Sequence, residues 1–485
     1  MKKQIWSIFF AVAGTMLFAA CGTEESQEKH YIKLSDAVCT FTADGTDAFA
    51  INVRSNPGWS AESGASWVKV TDMSENTLTV SVEPNTEVER STEILLTAGA
   101  ATATIDVYQL GVDGMNARYR LLDDLNSAMI SPNGRYVGGY YIGAVDNEMD
   151  YTAVIIDLET DERIEFGPYP ESLLGMDAAS AMTDQGILYV SDFVNGGCIA
   201  FDLTGDYFRP ESLPGGYGAT VISGVSEDGS ILVGYSDATP NGYIYGPLKF
   251  VNGEGQELPL PEKNFRDEEW WAGVLARGIS ADGTVIYGTS WEDYDYGMVW
   301  WDEAGNVDWV GSDVRKVTPI KREDATGKLV DYNLVDGVIC WNNQTQVSPN
   351  GEWIAGTFRT EAFNESDNSV LQSNYPAFFN TETGTTTVFD EYGGYVALHV
   401  TNDGMGVIGP QSLGVYNCVM VDLESKTVMG PMSQWIQDNY GILVETGVLL
   451  YVTPDNEKLF GYNLSNTNGG QSFTTTYWYV APPLD

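Results

Sequence analysis

The chain is poor in positive charge and in histidine, and both shortages exclude classes of function. It has 24 lysines and arginines against 68 aspartates and glutamates, a formal net charge of −44 over 485 residues. Such a surface repels polyanions, so we expect no nucleic-acid partner. The only histidines are His30 and His399. His30 lies in the predicted tether and His399 beside the sixth copy of a repeated motif described below, which argues against a histidine-dependent catalytic triad or a histidine metal site.

Cysteine is also scarce and widely spaced. No Cys-x-x-Cys pair occurs, and the cysteines after Cys21 are Cys39, Cys198, Cys340 and Cys418. This spacing argues against a zinc site. We favour buried free thiols that pack as small apolar groups, while a disulfide between repeats stays open.

Long apolar runs are missing except at the N-terminus. There, Lys2 and Lys3 precede an apolar segment over residues 5–17, which is too short to span a bilayer. Leu17-Phe-Ala-Ala-Cys21 resembles a bacterial lipobox. The resemblance implies that residues 1–20 are a signal peptide and that Cys21 carries lipid. Residues 21–33 then form a flexible tether, and the lipid is the only membrane contact.

Glu24 and Glu25 follow the lipidated cysteine and look like the acidic export signal of Bacteroidetes surface lipoproteins. The resemblance implies an outer-membrane, lipid-anchored protein exposed at the cell surface.

Residues 34–111 show short alternating strands, which predict a small β-sandwich. Asn56-Pro-Gly-Trp59, Ser66-Trp-Val-Lys-Val70 and Val107-Tyr-Gln109 resemble the BACON domain, an immunoglobulin-like module of Bacteroidetes surface proteins. The resemblance implies a spacer between the anchor and a working domain, or carbohydrate binding through Trp59 and Trp67. We favour core positions for both tryptophans, because their apolar area fills a thin sandwich.

The rest of the chain is dominated by one repeated motif, Val/Ile-Ser/Thr-x-x-Gly followed by a short apolar run. Its Ser/Thr positions are 131, 183, 226, 280, 348, 401 and 453, which are 52, 43, 54, 68, 53 and 52 residues apart. A period near 50 among strand-forming residues is typical of β-propeller blades. The predicted fold class is therefore all-β, with a small immunoglobulin-like β-sandwich followed by a seven-bladed β-propeller over residues 115–485.

Each repeat fits one four-stranded blade. The Asx-Gly pair predicts a two-residue hairpin turn between the first two strands, and the Ser/Thr hydroxyl is expected to bond the turn backbone. Residues 118–122 are predicted to complete the seventh blade beside Tyr477–Val480. Ser131-Pro-Asn-Gly134 resembles TolB-like repeats, and Ile279-Ser-Ala-Asp-Gly283 resembles the HAF-type extracellular repeat. Both resemblances imply a propeller without a set activity.

The connections between strands are predicted to be tight on one face of the propeller and long on the other. A scaffold that carries its excess loop on one face usually works there. The long connections are residues 141–151, 236–246, 263–276, 290–297, 311–345, 357–375 and 462–474.

Aromatic and charged side chains in these long connections are the candidate ligand-binding residues. Exposed rings stack on sugars or hold peptide side chains, and carboxylates accept hydroxyl hydrogen bonds. The candidates are Trp270, Trp271, Trp291, Tyr294, Tyr296, Asp293, Asp295, Glu268, Arg266, Tyr243, Tyr245 and Arg359. Asp293 and Asp295 are also the candidates for calcium, the one cofactor left open.

Three functions fit this pattern. The leading hypothesis is a non-catalytic surface lipoprotein that captures an extracellular glycan or peptide, with an outer-membrane uptake complex of the SusCD kind as its partner. No Gly-x-Ser-x-Gly elbow or P-loop is present. The first alternative is a carboxylate-dependent glycoside hydrolase or polysaccharide lyase on the same face, because Asp and Glu suffice for that chemistry. The second is a structural protein of the cell envelope.

Overall fold

The computed structural model of the chain describes residues 30–35, 37–46, 48–71, 73–74, 76–86, 90–111, 119–122, 124–145, 148–292, 296–342, 346–410, 418–440, 442, 444, 447–467 and 472–480. The predicted signal peptide, Cys21 and the two export-signal glutamates lie outside these residues, as do Asp293, Tyr294 and Asp295. No helix within the described ranges is long and apolar enough to cross a membrane.

Eight strands near the N-terminus form two four-stranded sheets, in the orders β1-β3-β6-β5 and β2-β8-β7-β4. Strand β2 runs parallel to β8, and the other pairs in the two sheets are antiparallel. The strands are β1 (Tyr31–Leu34), β2 (Val38–Phe41), β3 (Ala48–Asn56), β4 (Ser60–Ser63), β5 (Val68–Thr71), β6 (Thr77–Val82), β7 (Arg90–Ala98) and β8 (Ala101–Gln109).

One buried cluster joins these two sheets. Val53 and Leu78 of one sheet pack with Ile94 and Ile105 of the other, because alternate residues of each strand point inward. Trp59 and Trp67 are half-buried and pack against this cluster, as favoured from the sequence.

The predicted tether is wrong at its C-terminal end. Residues 31–34 pair with β3 over its last four residues. Ile32 and Leu34 pack against the core, because the apolar residues alternate there with Tyr31 and Lys33. The ordered sheet therefore begins at Tyr31 rather than at residue 34.

Thirty strands and one helix follow in the described part of the chain. They are β9 (Tyr119–Leu122), β10 (Ser127–Ile130), β11 (Tyr136–Val145), β12 (Glu148–Asp157), β13 (Arg163–Pro170), β14 (Met176–Met182), β15 (Leu188–Asp192), β16 (Cys198–Phe201), β17 (Tyr207–Phe208), β18 (Thr220–Val225), β19 (Ile231–Ser236), β20 (Gly246–Val251), β21 (Glu254–Glu257), β22 (Val274–Ile279), β23 (Ile286–Ser290), β24 (Met298–Trp301), β25 (Val307–Trp309), β26 (Lys316–Glu323), β27 (Leu329–Asp336), β28 (Val338–Cys340), β29 (Trp353–Asn364), β30 (Ser369–Asn380), β31 (Thr385–Val388), β32 (Tyr395–Val400), β33 (Met405–Pro410), β34 (Val419–Asp422), β35 (Thr427–Pro431), α1 (Met432–Tyr440), β36 (Val448–Val452), β37 (Leu459–Thr467) and β38 (Ser472–Val480).

Within the described ranges, 28 of these strands form seven antiparallel four-stranded sheets, and β26 and β27 form a separate two-stranded sheet. Neighbours in the four-stranded sheets follow chain order except at one place. The exception is the last sheet, β36-β37-β38-β9, in which Val480 lies opposite Tyr119 and Tyr477 opposite Leu122. This is the pairing that the sequence predicts for residues 118–122, although residue 118 itself lies outside the described residues. Both described ends of this region therefore meet in one sheet.

The seven motif hydroxyls support the turns between the first two strands of the sheets. Ser280 Oγ, for example, accepts the Val285 N–H at 3.0 Å, and the other six make the same bond to the residue four or five positions on. The structural role predicted for the hydroxyl is confirmed.

The two-residue hairpin predicted for the Asx-Gly pair is wrong. The Ser131 N–H donates to the Tyr136 carbonyl, so the loop contains four residues, 132–135, instead of two. Within it the Gly134 N–H donates to the Ser131 carbonyl, which makes the glycine the last residue of the β-turn. Gly134 has a φ of +69°, which explains the preference for glycine there. The motif hydroxyl favours this longer loop because it accepts a backbone N–H that a two-residue hairpin would pair with a backbone carbonyl.

These turns also bond to one another across sheet boundaries. Each motif turn is hydrogen-bonded to the turn of the next sheet, and the seventh turn is bonded back to the first. The seven bonds run from Asn133 N to Asp184 Oδ1, Gln185 Nε2 to Asp228 O, Glu227 N to Ala281 O, Asp282 N to Pro349 O, Asn350 N to Asn402 Oδ1, Asn402 Nδ2 to Pro454 O and Lys458 Nζ to Asn133 O.

Several of the predicted long loops are extended hairpins instead. The connection at 357–375 is taken up by β29 and β30, which stay paired out to Asn364 and Ser369. The 141–151 and 462–474 connections likewise fall largely in paired strands, and residues 316–336 form the β26–β27 hairpin.

The four cysteines in the described residues are buried and free, as favoured from the sequence. Burial raises the pKa of the Cys198 thiol to about 11 and that of Cys418 to about 12. Thiols held protonated in this way are poor nucleophiles. The helix α1 was not predicted; Ile436 and Tyr440 on one of its faces are buried in the core.

Candidate functional site

The first strands of five sheets, β10, β14, β18, β22 and β36, line one cavity of about 670 Å³. Small side chains on these strands leave the space open, for example Ala128, Ser180, Ser223 and Gly278. We call this space the central cavity. Its volume lies in the range of small-molecule sites, about 300–1,000 Å³.

A recurring β-bulge occurs three residues before the motif Ser/Thr. Register shifts fall at this position in β14, β18, β22, β32 and β36, where the bulged residues are Ser180, Ser223, Arg277, Leu398 and Leu450. Bulges re-aim side chains, and four of these five residues line the central cavity. Arg277 is the one charged residue among the described residues of the lining.

Arg277 is surrounded by aromatic rings. Its guanidinium carbon lies 4.1 Å from the ring centre of Trp341, 5.7 Å from that of Trp291 and 5.9 Å from that of Tyr235. Among the described residues its side chain has no hydrogen-bond or ion-pair partner, and its Nε is buried. Burial lowers the pKa of Arg277 from its ordinary value, but an arginine still stays protonated at neutral pH.

Five rings form a continuous chain, which we call the aromatic arc; its two end rings, Tyr235 and Trp341, line the central cavity and its middle ring reaches the surface. The ring centres are 5.9 Å apart for Tyr235 and Tyr245, 6.3 Å for Tyr245 and Trp291, 5.1 Å for Trp291 and Tyr296, and 6.5 Å for Tyr296 and Trp341. Trp291 is 38% exposed, so the arc connects bulk solvent with Arg277.

The structure brings three of the sequence candidates into this arc: Tyr245, Trp291 and Tyr296. Sequence reasoning missed Tyr235, Trp341 and Arg277. A signal for Arg277 does exist, because the residue three positions before the motif Ser/Thr is uncharged in the other six repeats. Those six residues are Ala128, Ser180, Ser223, Thr345, Leu398 and Leu450.

Arg266 does not fit its predicted role as an exposed ligand-binding residue. It is 9% exposed, and Nη1 and Nη2 donate to Glu361 at 3.0 and 2.8 Å. Arg266 Nη1 also donates to the Asn333 carbonyl, and the Val335 N–H donates to Glu361. The pair therefore fastens the β26–β27 hairpin to the body of the protein.

Glu361 keeps its charge despite burial. Burial by itself would raise the pKa of this carboxyl, but the hydrogen bonds from Arg266 and from the Val335 N–H outweigh it. The net effect is a pKa below the ordinary value of 4.5.

Trp270 and Trp271 follow each other but have different environments. Trp270 is half-buried, stacks on Trp309 at 5.9 Å and donates its indole N–H to the Pro261 carbonyl, so it is a packing residue rather than a free platform. Trp271 is 50% exposed. Buried Glu292 accepts the backbone N–H groups of Trp271 and Ala272, which positions this loop next to β23.

The remaining candidates are dispersed. Tyr243 is half-buried and its N–H donates to Thr239 in a local turn, while Arg359 is half-buried on β29 opposite Val338. Glu268 is exposed, and only its backbone is used, in bonds with Asn264. The described residues contain no group of three metal-ligating side chains, and the calcium candidates Asp293 and Asp295 lie outside them.

Residues 58–110 match the BACON family model, described as "Putative binding domain, N-terminal". No curated protein matches the chain in sequence.

Similar solved structures include propellers. The polysaccharide lyase Uly1 is 9% identical, with 76% of this chain and 93% of that chain covered and a TM-score of 0.40. TolB from Acinetobacter baumannii is 12% identical, with 67% and 86% covered and a TM-score of 0.31. The β-propeller domain of the Trilobed protease from Pyrococcus furiosus is 11% identical, with 82% and 96% covered and a TM-score of 0.35. Likenesses this distant carry no argument about activity.

Proposed function

We propose that the chain is a non-catalytic, surface-exposed lipoprotein that captures an extracellular glycan at the aromatic arc. In this proposal the seven sheets are the blades of one propeller, and the N-terminal pair of sheets is an immunoglobulin-like spacer that holds it away from the membrane. The observation that carries the proposal is the arc itself, whose middle ring, Trp291, is exposed and whose two end rings line the central cavity.

The arc suits a sugar for two physical reasons. Rings at 5–6.5 Å from one another present faces and edges against which the apolar C–H face of a pyranose can pack. Ser180 and Ser223 on the inner strands donate their hydroxyl hydrogens to backbone carbonyls, and their oxygens can accept hydrogen bonds from sugar hydroxyls.

The anchor and the partner rest on sequence alone. The lipobox-like segment ending at Cys21 supports lipidation, and Glu24 and Glu25 support export to the surface. Capture at the surface would serve an uptake complex of the SusCD kind. Recovery of the lipidated protein from membranes without any transporter subunit would argue against that partner.

The binding proposal is tested with the chain from residue 22 on a glycan and peptide array, in calcium and in chelator. We expect a glycan hit that Trp291→Ala weakens by about 1–2 kcal/mol, or about 5- to 30-fold, because a stacked ring is removed. Tyr207→Ala is the matched control, since Tyr207 is 51% exposed and outside the arc. A hit weakened equally by both variants, or no glycan hit in either condition, would refute capture at the arc.

A further inference from the structure

We propose that Arg277 binds the carboxylate of an acidic sugar, so that the glycan captured at the aromatic arc contains uronic acid. This inference rests on the function proposed above and names the class of its substrate.

Arg277 has no carboxylate partner among the described residues, unlike Arg266. In a chain with 68 acidic residues, an interior arginine would be expected to pair with a carboxylate, as Arg266 does with Glu361. The described lining of the central cavity contains neither Asp nor Glu. Among the described residues, no carboxylate of the protein therefore lines the cavity wall that carries this cation.

A guanidinium that contacts only aromatic rings leaves its N–H donors without acceptors. Arginine has five N–H donors, and ring faces satisfy the charge but not the donors. Arg277 is half-buried and its Nε is enclosed without an acceptor among the described residues, so the site gains most from a ligand that brings an anionic oxygen pair. A planar carboxylate matches the two parallel N–H bonds of the guanidinium fork.

Two tryptophans define the shape of the site around Arg277. Trp341 covers the guanidinium at 4.1 Å, and Trp291 lies 5.7 Å away and reaches the solvent. A ligand that places its carboxylate on Arg277 would have its ring beside the aromatic arc. A uronate residue has this form, with a carboxylate on a pyranose ring, and the cavity volume accommodates one or two sugar units.

The local backbone fixes the position of Arg277. Arg277 is the bulged residue of β22, and the Ser223 hydroxyl bonds the carbonyl of the preceding Ala276 at 2.7 Å. The bulge directs the side chain into the cavity, and the serine fixes the strand next to it. The guanidinium is thus held in place before a ligand arrives, which lowers the entropy lost on binding.

The proposal is tested by calorimetry on the chain from residue 22 with three matched probes: trigalacturonate, its methyl ester and galactotriose. We expect the wild-type chain to bind trigalacturonate at least about 10-fold more tightly than the other two, because a charge-assisted hydrogen bond contributes about 1.5–3 kcal/mol. Arg277→Met should remove this preference and leave the affinity for galactotriose unchanged. Arg277→Lys should retain part of it, since the charge remains but the planar fork is lost.

Arg54→Met is the control variant, because Arg54 is exposed on β3 in the N-terminal sheets and should not affect binding. Equal affinity for the acid and its methyl ester would overturn the inference. If galactotriose also bound and lost affinity in Trp291→Ala, the proposed function would survive that failure. Tighter binding of a sulfated galactose oligosaccharide than of trigalacturonate would overturn the carboxylate class, and binding of no sugar at all would overturn both proposals.

Discussion

Arg266 and Arg277 lie eleven residues apart in sequence, yet their surroundings are opposite. Arg266 has a carboxylate with two oxygens in reach and a backbone carbonyl, so its donors are used within the protein. Arg277 has only ring faces among the described residues. The difference indicates that buried Arg266 is structural because its partner is built in, whereas half-buried Arg277 is available to a ligand.

The largest expected effect comes from breaking the built-in pair. Arg266→Ala should lower the free energy of unfolding by about 3–5 kcal/mol, because it leaves Glu361 charged and buried without its partner. Chemical denaturation measures the change. The exposed Lys321→Ala is the control and should change stability by less than about 1 kcal/mol, as is usual for exposed ion pairs. A loss for Arg266→Ala no larger than that of the control would contradict the structural role.

Acid should weaken the same pair. The pKa of Glu361 is lower in the folded chain than its ordinary value of 4.5, so the pair's contribution is full above about pH 4.5 and decreases as the pH falls through the folded pKa. Other carboxyls also titrate there, so the comparison is with Glu361→Gln, which lacks this titration. The stability difference between the two proteins should shrink from pH 6 to pH 3. A difference that stayed constant would show that Glu361 does not titrate with folding.

The smallest effect on stability is expected at the other arginine. Arg277→Met should change the free energy of unfolding by less than about 1 kcal/mol, because the attraction between the guanidinium and its aromatic rings is offset by the cost of partly desolvating the charge. Thermal and chemical denaturation both measure it. A loss as large as that of Arg266→Ala would mean that Arg277 is structural, and the comparison would fail.

The repeat itself could be predicted from the sequence, because its signal is local. The Ser/Thr hydroxyl, the glycine with positive φ and the apolar strands all lie within ten residues of one another. The loop length was mispredicted for an equally local reason. The motif hydroxyl accepts a backbone N–H, so the hairpin closes around four loop residues instead of two.

The site was predictable only in part. Tyr245, Trp291 and Tyr296 were chosen because aromatic residues cluster in the connections between strands. Arg266 was misassigned because its partner Glu361 is 95 residues away in sequence, and no sequence pattern near Arg266 predicts that contact. Arg277 was missed because it lies inside an apolar strand, a pattern that predicts core packing. Its charge is nevertheless absent from the equivalent position of the other six repeats.

The pairing of β9 with β38 has a consequence for how this protein is made. The first strand after the N-terminal sheets can find its partner only when the last strand has left the ribosome. Until then β9 has no sheet to join, and the hydrogen bond that returns from Lys458 to Asn133 is also missing. The last sheet is therefore completed late in synthesis, and a chain truncated before β38 would retain the strand edges that the β9–β38 pairing covers.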